Sequence, residues 1–328
     1  MDVPTNPTAL TEALGIEVPI IGGAMYPCSN PELVAAVSDA GAIGVIQPMS
    51  LSYVHGHELT AGIDYMRTIT DKPLGLNLII EQSSKIYLER TRRWAEEAAE
   101  KGVRFFVTAL GDPAWVVRLA EQHNITVYHD VTGLRHAQKA LDAGVDGFIC
   151  VNNRAGGHAG TLSPQELFDQ IAPLGKPLVC AGGIGDSKAV AEALATGYAG
   201  VQLGTRFIAS TECNAHADYK RAIVEADASD IVLTEKLTGV PVSVIKTPYI
   251  ESIGTKAGPF ARWMLSGRKT KHWMRSWYTL MSVWKLKKAS VAGSAYRDYW
   301  QAGKSADTIN DIASVSSIIA ELVRDIKR

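Results

Sequence analysis

The sequence predicts an α/β fold, a (β/α)8 TIM barrel with a smaller, mainly helical domain inserted after the eighth strand. Short apolar runs and helix-like segments alternate about eight times, with the spacing of roughly 30 residues that one β/α unit needs. Glycines follow several of these runs directly, at the carboxyl ends of strands, where parallel barrels bind ligands. A doubly wound sheet is the alternative. It is disfavoured because no G-x-G-x-x-G follows the first strand.

The predicted elements alternate along the chain. The strands are residues 19–21, 42–46, 73–79, 104–109, 126–129, 147–151, 177–181 and 200–203, and the main helices are residues 59–69, 85–101, 113–122, 134–143, 163–172 and 187–196. Asn30 and Pro31 have the N-cap and first-turn preferences that would start the helix after the first strand. Gly41, Gly102 and Gly144 follow helix ends, where a left-handed C-cap residue is expected.

This period is lost after residue 207, which indicates three parts. Residues 1–215 are predicted to form the barrel, residues 216–300 an inserted lid or substrate domain, and residues 301–328 a helix that returns to the barrel. The insert contains a β-prone V-P-V-S-V-I-K-T-P run and a basic, tryptophan-rich region. The end of the chain, residues 307–328, has an amphipathic helix pattern.

Composition indicates a globular cytoplasmic enzyme. The 328 residues are 46% hydrophobic with a net charge of −1, which argues against a nucleic-acid-binding or disordered chain. No run of about 18 apolar residues and no amino-terminal signal pattern occurs, so we expect no membrane span and no export. The cysteines form no C-x-x-C pair, so we expect reduced core thiols and no metal site. They are Cys28, Cys150, Cys180 and Cys213.

Three glycine-containing stretches follow the last three predicted strands: V-N-N-R-A-G-G-H-A-G, A-G-G-I-G-D and Q-L-G-T-R-F. Glycine lets backbone N–H groups approach a phosphate closely. We therefore predict that Gly182-Gly183 and Gly204-Thr205 form one phosphate cradle from two successive strand ends. His158 is the ionisable side chain among the glycines of the first stretch, and it is the candidate for proton transfer.

These three stretches, an early I-I-G-G-A-M and a late Q-A-G-K together resemble the nitronate monooxygenase family, formerly called 2-nitropropane dioxygenases. That family shares a flavin-binding barrel with FMN-dependent enoyl-acyl-carrier-protein reductases and some NAD(P)H:quinone reductases. The resemblance covers residues 15–215 and returns near residues 300–304. It implies FMN as the cofactor and gives His158 the role of the family histidine, which lies over the flavin and acts on the substrate. It also implies cofactor contacts for Ala181, Gly182, Gly183, Gly204 and Thr205 at the phosphate and for Gly22, Gly23, Ala24, Met25, Asn77 and Asp130 at the ring.

Four positions depart from the family pattern. Val151 and Asn152 stand where Gln, Glu or Asp followed by Gly is frequent, and Arg154 stands where Glu often precedes A-G-G-H. Asp130 replaces a flavin-contacting Lys or Ser of some members. These departures leave the substrate open. His129, at the end of the fifth strand, is either a wall of the site or a packing residue.

Three functions remain open at this stage. The leading one is an FMN-dependent oxidation of nitronates by O2, with His158 as base or as partner of the anion. The second is an NAD(P)H-dependent flavin reductase acting on a quinone or an enoyl thioester. The third is a non-catalytic barrel that binds a phosphorylated ligand or an acidic partner. The sequence does not give the oligomeric state; a dimer is compatible with it.

The insert carries a basic segment with no acidic residue between Glu251 and Asp298. Its tryptophans recur at helical spacing, so an apolar stripe is bordered by cations. We expect the stripe to pack on the barrel as a lid over the flavin. The alternative is peripheral docking to an anionic lipid surface or an acyl carrier protein. The cations are Arg262, Arg268, Lys269, Lys271, Arg275, Lys285, Lys287, Lys288 and Arg297, and the stripe is Trp273, Trp277, Leu280, Met281 and Trp284.

Overall fold

The computed structural model describes residues 7–81, 85–236, 241–256 and 299–326, and within them eight parallel strands form a closed barrel in sequence order. The first strand pairs with both the second and the eighth, which closes the sheet. The strands are β1 Ile20–Gly22, β2 Ile43–Ile46, β3 Leu74–Ile79, β4 Phe105–Ala109, β5 Thr126–Val131, β6 Gly147–Val151, β7 Leu178–Ala181 and β8 Gly200–Leu203. The predicted (β/α)8 barrel is confirmed, and the doubly wound alternative is wrong.

Helices lie between the strands as predicted. They are α1 Ala9–Leu14, α2 Pro31–Asp39, α3 Pro48–Tyr53, α4 Leu59–Arg67, α5 Lys85–Glu100, α6 Ala114–His123, α7 Leu134–Asp142, α8 Pro164–Ile171, α9 Ser187–Thr196, α10 Thr205–Ile208, α11 Ala217–Glu225, α12 Pro248–Ile253 and α13 Val315–Leu322, with 3-10 turns at Ala172–Leu174, Ala228–Asp230 and Lys304–Thr308. Helix α8 begins where Ser163 and Glu166 form a capping box. Gly197 ends α9 with a φ of 113°, in the left-handed region that favours glycine.

The inside of the barrel is a packed apolar core, because side chains alternate along each strand between the interior and the helix-facing side. The interior face carries residues such as Val107, Tyr128 and Ile149. Helix α1, which the sequence reasoning missed, adds Leu10 and Leu14 to this core and closes the amino-terminal end of the barrel. Barrels of this kind bind ligands at the opposite, carboxyl-terminal end of the strands, which we call the mouth.

The described part of the insert packs on the mouth. Helix α11 is followed by strands β9 Ile231–Thr234 and β10 Val242–Ile245, which pair antiparallel, and then by α12. Strand β10 lies within the V-P-V-S-V-I-K-T-P run, which confirms that this run is β-prone. It bonds to the loop after β6 and to the chain beyond the insert, because the N–H of Ser243 donates to Gly157 O (2.7 Å) and that of Ile245 donates to Trp300 O (2.8 Å). The boundaries of the three predicted parts stay a prediction.

The carboxyl-terminal helix is shorter than predicted. The pattern indicated a helix over residues 307–328, whereas α13 begins only at Val315, behind the N-cap Ser314. The cause is Arg206, a 3% exposed arginine whose guanidinium binds the backbone O of Asp311 at 3.0 Å and its Oδ1 at 2.6 Å. The carbonyl oxygen of Ala313 also accepts a hydrogen bond, from the N–H of Thr211. Because the carbonyls of Asp311 and Ala313 bond to Arg206 and Thr211 and not to later residues of a helix, the chain directly before Ser314 is not helical.

The basic tryptophan-rich segment between Arg262 and Lys288 lies outside the described residues, so its role as lid or docking face stays a prediction. Within the described ranges, no helix is long and apolar enough to cross a membrane. All four cysteines are buried and free, which confirms the prediction of core thiols.

Candidate active site

The ends of β1 and β8 meet at the mouth, which brings two of the predicted site stretches together. The N–H of Gly23 donates to Leu203 O at 2.8 Å, and a Cβ at Gly204 would lie 3.3 Å from Met25 Sδ. Ala24 packs beside the interior core. Gly22 has a different reason for being glycine, since a Cβ there would lie 2.9 Å from Val37 of α2. Of the early glycine pair, Gly23 is the residue at the mouth side.

The predicted phosphate cradle, defined as Ala181, Gly182, Gly183, Gly204 and Thr205, lies at the ends of β7 and β8. Gly182 and Gly183 have φ values of 119° and 79°, which ordinary side chains rarely adopt. Space is also lacking, because a Cβ at Gly182 would lie 2.5 Å from Ala155 N. Within the described chain, no acceptor takes the N–H groups of Gly182, Gly183 or Thr205. Unpaired donors beside side-chain-free backbone fit a phosphate.

The late Q-A-G-K stretch closes the cradle from the other side. The N–H of Gly303 donates to Thr205 Oγ1 at 3.0 Å, so the hydroxyl accepts from Gly303 and keeps its own proton to donate. A Cβ at Gly303 would lie 2.7 Å from Arg154 O, and the N–H of Lys304 donates to that same oxygen at 2.9 Å. The segment beyond the insert therefore joins the loop after β6 to the cradle.

Asn152 holds the loop that carries His158. The side chain of Asn152 is fully buried; its Nδ2 donates to Gly182 O (3.0 Å), and its Oδ1 accepts the N–H of Arg154 (2.8 Å). Its backbone O accepts the N–H of Gly160 at 3.1 Å. Asn152 therefore bonds to both ends of residues 154–160, the segment that contains His158, and connects this segment to the cradle. Strand β10 of the insert bonds to the same segment at Gly157.

The His158 imidazole is exposed at the mouth and makes no hydrogen bond to any described residue. The protein around the ring still disfavours the charged form, so desolvation lowers the pKa of His158 below its usual 6.5. At neutral pH the ring is therefore mainly uncharged, with a lone pair available to accept a proton.

Three polar side chains point into the barrel at the floor of the mouth. Asn77 on β3 alternates with Gly75, whose Cβ would touch the interior residue Phe105, and Asp130 on β5 alternates with the interior residue Tyr128. Gln202 on β8 lies against Gly23, where a Cβ would be 3.1 Å from Gln202 Cγ. None of the three makes a side-chain hydrogen bond within the described ranges. Together they offer unpaired donors and acceptors on an apolar floor, as the edge of a flavin ring requires.

Asp130 is the ionisable side chain of the three, and its pKa is shifted strongly. The residue as a whole is half-buried, but its Oδ1 is completely buried and has no hydrogen-bond partner among the described residues. Desolvation raises the pKa of its carboxyl from 3.8 to about 7. A buried oxygen without a partner is costly in a folded protein, which suggests that a ligand completes the site.

His129 does not belong to the site. It lies on the helix-facing side of β5, only 5% exposed, with its Nδ1 2.8 Å from Thr108 Oγ1. Burial lowers the pKa of its imidazole to about 4. Of the two readings left open by the sequence, packing is the one that the structure favours.

Sequence reasoning missed two site residues. Asn152 was noticed only as a departure from the family pattern, although a polar residue directly after a buried strand is a common tether for the following loop. Gln202 stands in the middle of an apolar run, V-Q-L, and alternates with Gly200, so the period of the strand could have placed it inside the barrel.

The fold and the site define a class of protein: a (β/α)8 barrel that presents unpaired backbone N–H groups, an imidazole and a set of polar side chains without described hydrogen-bond partners at one mouth. A family model described as nitronate monooxygenase matches residues 7–325. A probable nitronate monooxygenase of Staphylococcus saprophyticus is 30% identical over 75% of this chain and 80% of its own. The chain therefore belongs to the nitronate monooxygenase family, and it is an enzyme of the FMN-dependent oxidoreductase class.

Two further relatives show how broad this similarity is. The (3aS,4S,5R,7aS)-5-hydroxy-7a-methyl-1-oxo-octahydro-1H-indene-4-carboxyl-CoA dehydrogenase of Mycobacterium tuberculosis is 26% identical, with 97% of this chain and 95% of that protein covered. Among solved structures, FabK from Thermotoga maritima is 30% identical with a TM-score of 0.81, covering 98% of this chain and 97% of that one.

Proposed function

We propose that the protein binds FMN and oxidises nitronates with O2, and that His158 is the base that takes the α-proton when the substrate arrives as the neutral nitroalkane. The observation that carries the proposal is the Asn152 tether, because its hydrogen bonds connect the loop that carries His158 to the predicted phosphate cradle. An enzyme gains most from groups that are positioned before the substrate arrives. A tether between a cofactor site and a proton-transfer residue is the arrangement that such chemistry needs.

The residues of the mouth fit FMN in two ways. The cradle offers unpaired N–H groups and the Thr205 hydroxyl to a terminal phosphate, and the sequence has no fingerprint for the second nucleotide of FAD. Asn77, Asp130 and Gln202 offer hydrogen-bonding side chains to the polar edge of the ring, beside Gly23 to Met25. When bound, FMN would supply two-electron transfer and the reaction with O2.

The electrostatics of the mouth suit a carbon acid and its anion, here a nitroalkane and the nitronate formed from it. His158 has a lowered pKa, so it accepts a proton from the carbon next to a nitro group better than it attracts an anion. Positive charge comes instead from Arg154, whose stem lies over the cradle, since a Cβ at Gly183 would be 2.7 Å from Arg154 Cδ. We assign Arg154 to the attraction of the nitronate anion and His158 to the α-proton of the neutral nitroalkane from which that anion forms.

A second candidate is oxidation or reduction of an acyl thioester. It is favoured by the neighbouring cations Arg154 and Lys304, both exposed at the rim of the cradle, which could bind the phosphates of coenzyme A. The Mycobacterium tuberculosis relative carries the name of a carboxyl-CoA dehydrogenase. A reductase that uses NADH or NADPH remains within the same candidate.

The test is an anaerobic stopped-flow comparison of one holoenzyme sample with four donors: propionate 3-nitronate, NADH, NADPH and a saturated acyl-CoA. The released cofactor is first identified by mass spectrometry. We expect FMN and rapid bleaching of the flavin band by the nitronate alone. Bleaching by a nicotinamide or by the acyl-CoA, with no response to the nitronate, would replace the proposal with the second candidate. A protein that binds no flavin after reconstitution would refute both.

A further inference from the structure

The carboxyl of Asp130 has a position that its neighbours do not explain. It lies on the interior face of β5, in register with Ile149 of β6. The pairing of Thr108 with His129 puts Ala109 of β4 level with it on the other side. One carboxyl oxygen is buried, and no described residue bonds to it. An acidic group between an alanine and an isoleucine contributes nothing to packing that an apolar residue would not do better.

Among the described residues, no neighbouring charge offsets the burial of the Asp130 carboxyl, whose pKa is raised by desolvation. On its own face of β5 the nearest titratable group is Tyr128, whose phenol is buried and uncharged, with its pKa raised by burial. On β6 the nearest is Cys150, which points to the helix side and whose thiol pKa is itself raised in part by Asp130. The loop after β6 carries His158, mainly neutral at pH 7, and the cation Arg154, whose side chain lies against Gly183 of the cradle. β3, β7, β8 and β1 present Asn77, Ala181, Gln202 and Gly23 at the same end of the interior, none of them ionisable.

The carboxyl is therefore poised between two protonation states near neutral pH, because burial raises its pKa from 3.8 to about 7. In the protonated state it is a hydrogen-bond donor, and in the ionised state it only accepts. A flavin ring edge gains electron density and negative charge when two electrons enter it. A protonated neighbour then becomes more favourable and an ionised neighbour less favourable, in the same way that paired charges shift each other's titration.

We propose, building on the FMN binding proposed above, that Asp130 takes up one proton when the bound flavin is reduced and donates a hydrogen bond to the ring. The two electrons come from the substrate, here the nitronate, and pass to the flavin. The proton bound by Asp130 comes from solvent and is additional to any proton that the ring itself binds. When O2 reoxidises the flavin, Asp130 returns this proton to solvent, so the residue is unchanged over one turnover. Asp130 thereby stabilises the reduced cofactor as a proton-linked group.

The measurable consequence is the pH dependence of the two-electron reduction potential. Below the pKa of Asp130 in the oxidised protein the carboxyl is protonated in both redox states, and no extra proton is bound. Above about pH 7, up to the higher pKa of the reduced state, one extra proton accompanies each reduction. The equilibrium constant for reduction then changes by an additional factor of ten per pH unit. For a two-electron couple this adds about 30 mV per pH unit to the slope of the reduction potential.

The experiment measures the flavin potential of the holoenzyme against redox dyes from pH 6 to pH 9, with dithionite as the reductant, so that the natural substrate does not matter. The variant is Asp130→Asn, which keeps the shape and removes the titration, and Asp130→Ser serves if the first variant folds poorly. The control is Tyr128→Phe, which removes the other unpaired buried polar group on the same face of β5. FMN affinity and the absorption spectrum of the oxidised flavin are recorded for all four proteins.

We expect wild type and Tyr128→Phe to show the same steeper dependence of the reduction potential on pH above pH 7. In Asp130→Asn or Asp130→Ser this slope should be smaller by about 30 mV per pH unit. Identical slopes in wild type and in a folded, FMN-loaded Asp130 variant would overturn the inference while leaving the proposed function intact. Failure of the wild type to bind FMN would overturn the proposed function, and the inference with it. Loss of the extra slope in Tyr128→Phe as well would assign the proton to the pair and overturn the role given to Asp130 alone.

Discussion

Asn152 Nδ2 donates to the carbonyl oxygen of Gly182 at 3.0 Å, so a single side chain joins the loop after β6 to the loop after β7. Gly182 is left-handed and has room only for hydrogen at its α-carbon, since a Cβ would lie 2.5 Å from Asn152 Oδ1. The two residues therefore depend on each other: the glycine allows the close approach, and the asparagine uses it. Through this contact the loop that carries His158 is tied to the backbone of the predicted phosphate cradle.

The first prediction concerns this contact. Asn152→Ala leaves the carbonyl of Gly182 and the N–H of Arg154 without their side-chain partner, which typically costs about 1 to 3 kcal/mol in the free energy of unfolding. We also expect FMN affinity to fall by about tenfold or more, because the cradle loses its support. Urea unfolding and fluorescence titration with FMN measure the two effects. The matched control is Asn153→Ala, an exposed neighbour; equal losses in both variants would show that the tether has no special role.

The strands could be predicted from the sequence because each is a short, mostly apolar run, as in F-F-V-T-A of β4. The glycines Gly182 and Gly183 at the end of β7 could also be predicted as special backbone positions, because φ values above zero restrict the residue type; their role in phosphate binding stays a prediction. Helix α1 could not, since six residues with Thr8 as their cap give too weak a period. The end of the chain could not either, because its conformation depends on Arg206, more than a hundred residues away, binding Asp311.

The second prediction tests the cradle. Gly182→Ala places a methyl group where the nearest atoms are 2.5 Å away and forces alanine to a φ of 119°. We expect a protein that purifies without FMN and does not regain it on reconstitution. The control is Gly175→Ala, at a φ of 71° with no atom within 4 Å of the added Cβ. Gly175→Ala should lower the free energy of unfolding only by the backbone strain, about 1 to 2 kcal/mol, and the protein should keep its flavin. A yellow Gly182→Ala protein with wild-type affinity would place the phosphate elsewhere.

The third prediction concerns His158. The base must be uncharged to accept a proton, so kcat/KM with a nitroalkane should fall as the pH drops through the pKa of His158, which desolvation by the surrounding protein lowers from its usual 6.5. His158→Ala should keep FMN and lose about 10² to 10⁴ in turnover. Steady-state rates across pH 5 to 8, with added imidazole as a rescue agent, measure this. His123→Ala, at the end of α6 on the far side of the barrel, is the control. Turnover of His158→Ala within about threefold of wild type would make the residue structural.

The fourth prediction is a pH dependence of stability that arises from His129. Its pKa is lowered to about 4 in the folded protein, so the unfolded chain binds a proton first as the pH falls. The contribution of His129 to stability is complete above about pH 6.5 and is lost between pH 6.5 and pH 4, by at most about 3 kcal/mol. Urea midpoints at several pH values should show a smaller acid loss in His129→Gln than in wild type. An unchanged acid loss would mean that the buried imidazole is protonated without penalty.

The fifth prediction distinguishes the two substrate classes through Arg154. Reversing its charge in Arg154→Glu places a carboxylate over the cradle, next to the site of an anionic substrate. For a small nitronate we expect a KM raised by about tenfold, a kcat within about threefold, and a difference that shrinks in high salt, because the interaction is partly exposed. For a coenzyme A thioester the loss should be larger and should be partly shared by Lys304→Glu, because several phosphates would contact both cations.

Lys188→Glu makes the same charge change on the exposed surface of α9 and controls for the overall charge of the protein. FMN affinity must be measured for each variant, since a weaker hold on the cofactor phosphate would mimic an effect on substrate binding. Equal KM values in wild type and Arg154→Glu, at low salt and with saturating FMN, would show that Arg154 does not recognise the substrate. The substrate anion would then be bound by the backbone N–H groups of the mouth.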